Sequence, residues 1–136
     1  MEDLSMIQKI IKEFYPFAKK RFGFEKPPRL FLKRDASNAA NLLGKTAYYD
    51  PSQMEIVIYV NGRHPKDILR SFAHELVHHK QNCEGCFDGG VGNMGKGYAQ
   101  SNEYMREKEK EAYLYGSLCV RDYTDLLDVK GQENLI

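Results

Sequence analysis

Hydrophobic positions in the first 22 residues recur at helical spacing. Leu4, Ile7, Ile10, Ile11, Phe14, Phe17 and Ala18 form one stripe with lysine and glutamate between them, which predicts an amphipathic helix over residues 2–22. Gly23, just past a lysine- and arginine-rich end, marks its stop, and Pro27-Pro28 breaks the chain. Leu30-Phe31-Leu32 reads as a short strand, and residues 35–44, small and polar, as a loop or irregular helix. Thr46 to Asp50 and Met54 to Val60 read as two more strands, joined by the turn chemistry of Asp50-Pro51-Ser52-Gln53. Ile56, Ile58 and Val60 alternate with Glu55, Val57 and Tyr59, so one face of the last strand is apolar and the other mixed.

Asn61-Gly62 closes that strand, and Pro65 suits the first turn of a helix over about residues 65–81. Residues 82–101 hold six of the eleven glycines and read as a mobile loop. A second long helix is expected at about 102–119, then a tail from Asp122 with at most one short helix, frayed after Lys130. The order helix, small antiparallel sheet, helix, glycine-rich loop, helix defines an α+β domain, and 136 residues fit one domain spanning 1–136.

Composition narrows the function classes. Apolar residues make up 42% and charged residues 29% of the chain, as in ordinary globular proteins. A formal net charge of +1 gives no global field to recruit nucleic acid or an anionic membrane, so neither is expected as a partner. Met1-Glu2-Asp3 opens without the basic and apolar regions of a secretory signal, and no apolar run is long enough for a membrane helix. A cytoplasmic location is therefore expected. Three cysteines, an odd number, argue against a disulfide framework.

The chemistry concentrates in His74-Glu75-Leu76-Val77-His78. On a helix, two histidines four residues apart stack their imidazoles on one face, where both can grip one metal ion. Glu75 lies beside the first, within reach of a water on that metal without being a ligand, as a general base requires. At about 100° per residue, Leu69, Phe72, Ala73 and Leu76 share one face of this helix, and the histidines point roughly 170° away, toward a cleft. His79 is turned by about 100° toward the apolar face and is expected at a core edge or on the surface. His64, at the start of the helix, is expected to be a cap or a surface residue and not a ligand.

A catalytic zinc takes three protein ligands and a water. No histidine follows His79, so the third ligand must be Asp, Glu or Cys. Glu109 shares a helical face with Met105, Ala112, Gly116 and Val120, and the small residues on that face permit close approach to another helix. Glu111 faces Tyr104, Tyr115 and Leu118. Phase favours Glu109, with Glu111 as the alternative. Cys83-Glu84-Gly85-Cys86 has no second CxxC to complete a zinc site, and its order relative to strand and helix is wrong for a thioredoxin-like motif. These read as thiols at a helix end, and Cys119 as core packing.

The motif with a downstream glutamate helix resembles the gluzincin branch of zinc metallopeptidases, a zincin-like fold. Small members of that branch carry Glu-x-x-Ala-Asp or Glu-x-x-Ala-Asn on the second helix, with the first glutamate on zinc. Glu109-Lys110-Glu111-Ala112 matches four positions, and Tyr113 departs from the Asp or Asn. The stretch from Tyr48 through Tyr123 is also similar to small metallopeptidases encoded by tailed bacteriophages, for which the location would be the host cytoplasm. The resemblance implies a peptidase-type site with Zn2+ on His74, His78 and Glu109, Glu75 as base, and a peptide or protein substrate.

Tyr113, Tyr98 and Arg106 are candidate donors to a tetrahedral oxyanion. An extended peptide could add to an edge strand at Met54 to Val60, with the glycine-rich loop as either a lid or a disordered insertion. Competing functions are an inactive binding module on the same scaffold and a zinc hydrolase of a cell-wall amide. An intact Glu75 favours chemistry over binding alone.

Overall fold

The computed structural model describes residues 4–34, 46–86 and 103–134, with side chains in the last segment as far as Val129. The expected loop at 35–44 and most of the glycine-rich stretch lie outside the described residues. Among the described residues, three helices and a three-stranded mixed sheet make an α+β fold.

Helix α1 (Leu4–Phe22) buries Ile7, Ile11, Phe14 and Ala18 of the predicted stripe, and Phe22 beyond it, while Leu4, Ile10 and Phe17 are partly buried. It ends at Gly23, whose φ of 84° lets its N–H reach the Lys19 carbonyl at 2.9 Å. Strands β1 (Arg29–Lys33), β2 (Ala47–Asp50) and β3 (Glu55–Tyr59) follow. The Asp50 carboxylate accepts from the N–H and hydroxyl of Ser52, closing the turn between β2 and β3.

Two sheet expectations are corrected. The sheet is mixed, not antiparallel: β1 runs parallel to β3, pairing Arg29 with Glu55 and Lys33 with Tyr59. The segment Met54 to Val60 is not an edge, because β3 is central, with β2 antiparallel on its other side. As the central strand, β3 is hydrogen-bonded along both edges, and Ile56, Val57 and Ile58 are all buried.

Helix α2 (Pro65–Cys83) starts at His64, whose Nδ1 accepts the Lys66 N–H, with Pro65 in the first turn. It is buried on more than one side. Ile68, Leu69, Phe72, Ala73 and Leu76 join a core shared with α1, the sheet and the third helix. Helix α3 (Glu103–Asn134) is one continuous helix, longer than the expected 102–119 and including the expected tail as far as Asn134. Val120 and Tyr123 extend its buried face beyond the anticipated end, and Tyr123 packs there against Phe14 and Phe17 of α1. No helix among the described residues is long and apolar enough to cross a membrane.

Candidate metal centre

The principal helix pairing, α2 against α3, decides the geometry of the site. Met105, Ala112, Gly116 and Val120 lie on the buried face of α3. At Gly116 an added Cβ would stand 3.0 Å from the His74 backbone nitrogen and 3.2 Å from the Ala73 carbonyl carbon. The small side chains thus let the two backbones meet beside the first histidine of the motif.

That crossing brings Glu109 to both imidazoles. Glu109 Oε1 lies 2.7 Å from His74 Nε2, and Glu109 Oε2 lies 3.1 Å from His78 Nε2. One donor atom from each residue falls within 4.8 Å of the others, which makes this the one such group among the described residues. Ligands of a tetrahedral zinc with bonds of ~2.0–2.1 Å stand ~3.3 Å apart, wider than the 2.7 Å between Glu109 Oε1 and His74 Nε2, so a cation would fit as these side chains open around it. Two imidazoles and a carboxylate are a donor set zinc accepts.

Hydrogen bonding around His78 tests the fit further. Its Nδ1 lies 2.9 Å from Gln81 Oε1, and the Gln81 amide nitrogen donates to the Lys108 carbonyl and to Glu111 Oε1, each at 3.0 Å. His78 Nδ1 therefore donates, which in the neutral ring leaves the Nε2 lone pair facing a carboxylate oxygen. Two lone pairs face each other there unless a proton or a metal cation lies between. Burial opposes a charge on His78, but the hydrogen bond to Glu109 and the charges of Glu75 and Glu109 prevail and raise its pKa.

Glu75 is buried, and burial pushes its carboxyl upward against the pull of His78 and His74, with Glu109 adding to the rise. It lines an open cleft of about 360 Å3 together with His74, Glu109, Tyr113, Ser71, Thr46 and Ala47, the first residue of β2. Tyr113 is exposed, with its ring edge-on to His74 at 4.5 Å between centroids. Arg106 is exposed and is not a lining residue of this cleft. Tyr98 and the expected lid lie outside the described residues.

The other candidates separate from this cluster. Glu111 contacts Gln81 and Lys108 instead of the imidazoles. His79 is fully buried: its Nε2 donates to the Lys26 carbonyl at 2.6 Å and its Nδ1 accepts from the Tyr49 hydroxyl at 2.8 Å. Burial lowers its pKa, so it is a neutral core histidine. Cys83, Cys86 and Cys119 are free thiols.

Two residues that sequence reasoning passed over matter here. Gln81 is one. Arg63 is the other: its guanidinium donates to the Thr46 and Tyr59 carbonyls and to Ser71 Oγ and the Asp67 carbonyl. It ties the start of β2, and hence one wall of the cleft, to α2. A polar residue near a helix end looks like a surface residue in sequence, and nothing local marks either one.

No family model, no curated protein and no solved structure matches the chain.

Proposed function

We propose that this chain is a zinc-dependent metallopeptidase with a zincin-like fold, in which His74, His78 and Glu109 hold the metal and Glu75 is the general base. The observation that supports it most is the Glu109 carboxylate, delivered from a separate helix to both motif histidines at 2.7 and 3.1 Å. The buried Glu75 in the adjoining cleft supplies the one further group that a hydrolase needs and a bare metal site does not.

Zinc, when bound, supplies Lewis acidity, polarising a carbonyl and lowering the pKa of a water toward ~7. The protein does the rest. Glu75 takes the proton of the attacking water and returns it to the departing amine. Its raised pKa suits a group that must hold a proton between those two events. The Tyr113 phenol, on the same cleft, is the donor available to the oxyanion. Ala47, at the start of the edge strand β2, lines the cleft, so β2 is the strand along which an extended peptide would lie, using main-chain hydrogen bonds.

Elemental analysis tests this reading. Wild type is expected to hold near one zinc per chain, Glu109→Ala to lose it, and Glu111→Ala to keep it at saturating zinc. A wild-type protein that holds no zinc and takes none up on dialysis overturns the proposal.

A further inference from the structure

Gln81 occupies an unusual position for a neutral amide near a helix end: it is 2% exposed and bonded at both ends of its amide group. Its nitrogen donates to the Lys108 carbonyl and to Glu111 Oε1, both at 3.0 Å. Both partners only accept, so the amide has a single orientation. Turning it over would set its oxygen against two other oxygens. Its Oε1 is thereby fixed toward His78 Nδ1, at 2.9 Å. An amide oxygen only accepts, so the ring hydrogen of neutral His78 sits on Nδ1 and the lone pair on Nε2. That nitrogen is the one aimed at Glu109.

We propose that Gln81 is a positioning residue for His78, setting the tautomer in which Nε2 can coordinate a metal, and that Glu111 and the Lys108 carbonyl of α3 hold Gln81 in that orientation. The role rests on the metal-centre reading above. Without it, the ring hydrogen can move to Nε2, where it bonds to Glu109 and closes the site to a cation. The same helix that delivers Glu109 thus also fixes, through Gln81, the orientation of a second ligand. Partners of this kind are worth tenfold or more in metal affinity where they have been removed from histidine sites.

Two variants separate this role from plain packing. Gln81→Leu keeps the volume and removes the acceptor. Gln81→Glu keeps an acceptor against Nδ1 but loses both donors and puts a carboxylate beside Glu111, which costs the fold more. Zinc affinity, read by competition with a chelating dye, is expected to fall about 10- to 100-fold in the leucine variant and to stay within about threefold of wild type in the glutamate variant. Packing alone predicts the reverse order, with affinity following thermal stability. Ring-nitrogen NMR of zinc-loaded wild type is expected to show His78 with hydrogen on Nδ1 and metal on Nε2.

Metal on Nδ1, unchanged affinity in the leucine variant, or equal losses in both variants overturns the role while leaving the zinc reading intact. A wild type that takes up no zinc overturns that reading and this role with it.

Discussion

Gly116 packs directly on the backbone of His74: a Cβ at position 116 would lie 3.0 Å from His74 N and 3.1 Å from its Cα. The neighbours are backbone atoms of a buried helix, so they cannot swing aside as a side chain would. The closeness of α2 and α3, and hence the placement of Glu109 against the imidazoles, depends on the missing side chain.

Gly116→Val is therefore expected to destabilise the fold by about 1–3 kcal/mol through overpacking. It should weaken zinc binding as well, since separating the helices draws Glu109 from His74 and His78. Urea midpoints and zinc content of the purified variant check both. An unchanged midpoint would mean that the helices part freely, contrary to the packing.

Glu75→Gln removes the base and keeps the side-chain shape. The variant is expected to retain stoichiometric zinc and lose peptide hydrolysis about 100- to 10,000-fold. Zinc analysis alongside turnover of a fluorogenic peptide library checks this. Loss of the metal together with activity would make Glu75 part of the binding set and sink its assignment as base.

Local pattern made the helices legible. The stripe from Leu4 to Ala18 sets α1, and the capping chemistry of His64-Pro65 sets the start of α2. Helical phase also put Glu109 on the same face as Ala112 and Gly116, the face that meets α2. What sequence hid was non-local. The pairing of Arg29–Lys33 with Glu55–Tyr59 joins segments about two dozen residues apart, and no turn signal announces a parallel partner. The hint lay in Ile56-Val57-Ile58, a continuous apolar run that suits a central strand better than an edge. The continuation of α3 past Cys119 was hidden because its support, the aromatic contacts of Tyr123 with Phe14 and Phe17, comes from the other end of the chain.

Thiol reactivity should divide the cysteines. Cys83 is exposed and Cys86 half-buried, whereas Cys119 is fully buried and its thiol is pushed up to about 11 by that burial. A disulfide reagent at pH 8 is expected to modify two thiols in the native protein and the third only after denaturation. Three fast thiols in the native state would contradict the packing of α3 against the core.

His79 separates the core from the metal site and gives a pH signature of known sign. Its Nε2 hydrogen goes to the Lys26 carbonyl and its Nδ1 accepts from Tyr49, which in turn accepts from Asn82 at 2.9 Å. Burial places its folded pKa below the ordinary 6.5. Above pH 6.5 the ring is neutral in both states, and its contribution to stability is fully present. As pH falls below 6.5 the unfolded chain takes up the proton first, so stability declines, by at most about 1.4 kcal/mol per pH unit, until the folded ring titrates too. NMR titration is expected to find His79 neutral at pH 6.5, with its hydrogen on Nε2. Tyr49→Phe leaves Nδ1 and the Asn82 amide each short of a partner and should cost about 1–3 kcal/mol. Zinc content should not change in that variant, because the ring nitrogens of His79 are taken by Tyr49 and Lys26. A His79 ring that titrates at or above 6.5, or a Tyr49→Phe protein that loses its metal, would refute the separation of this core histidine from the site.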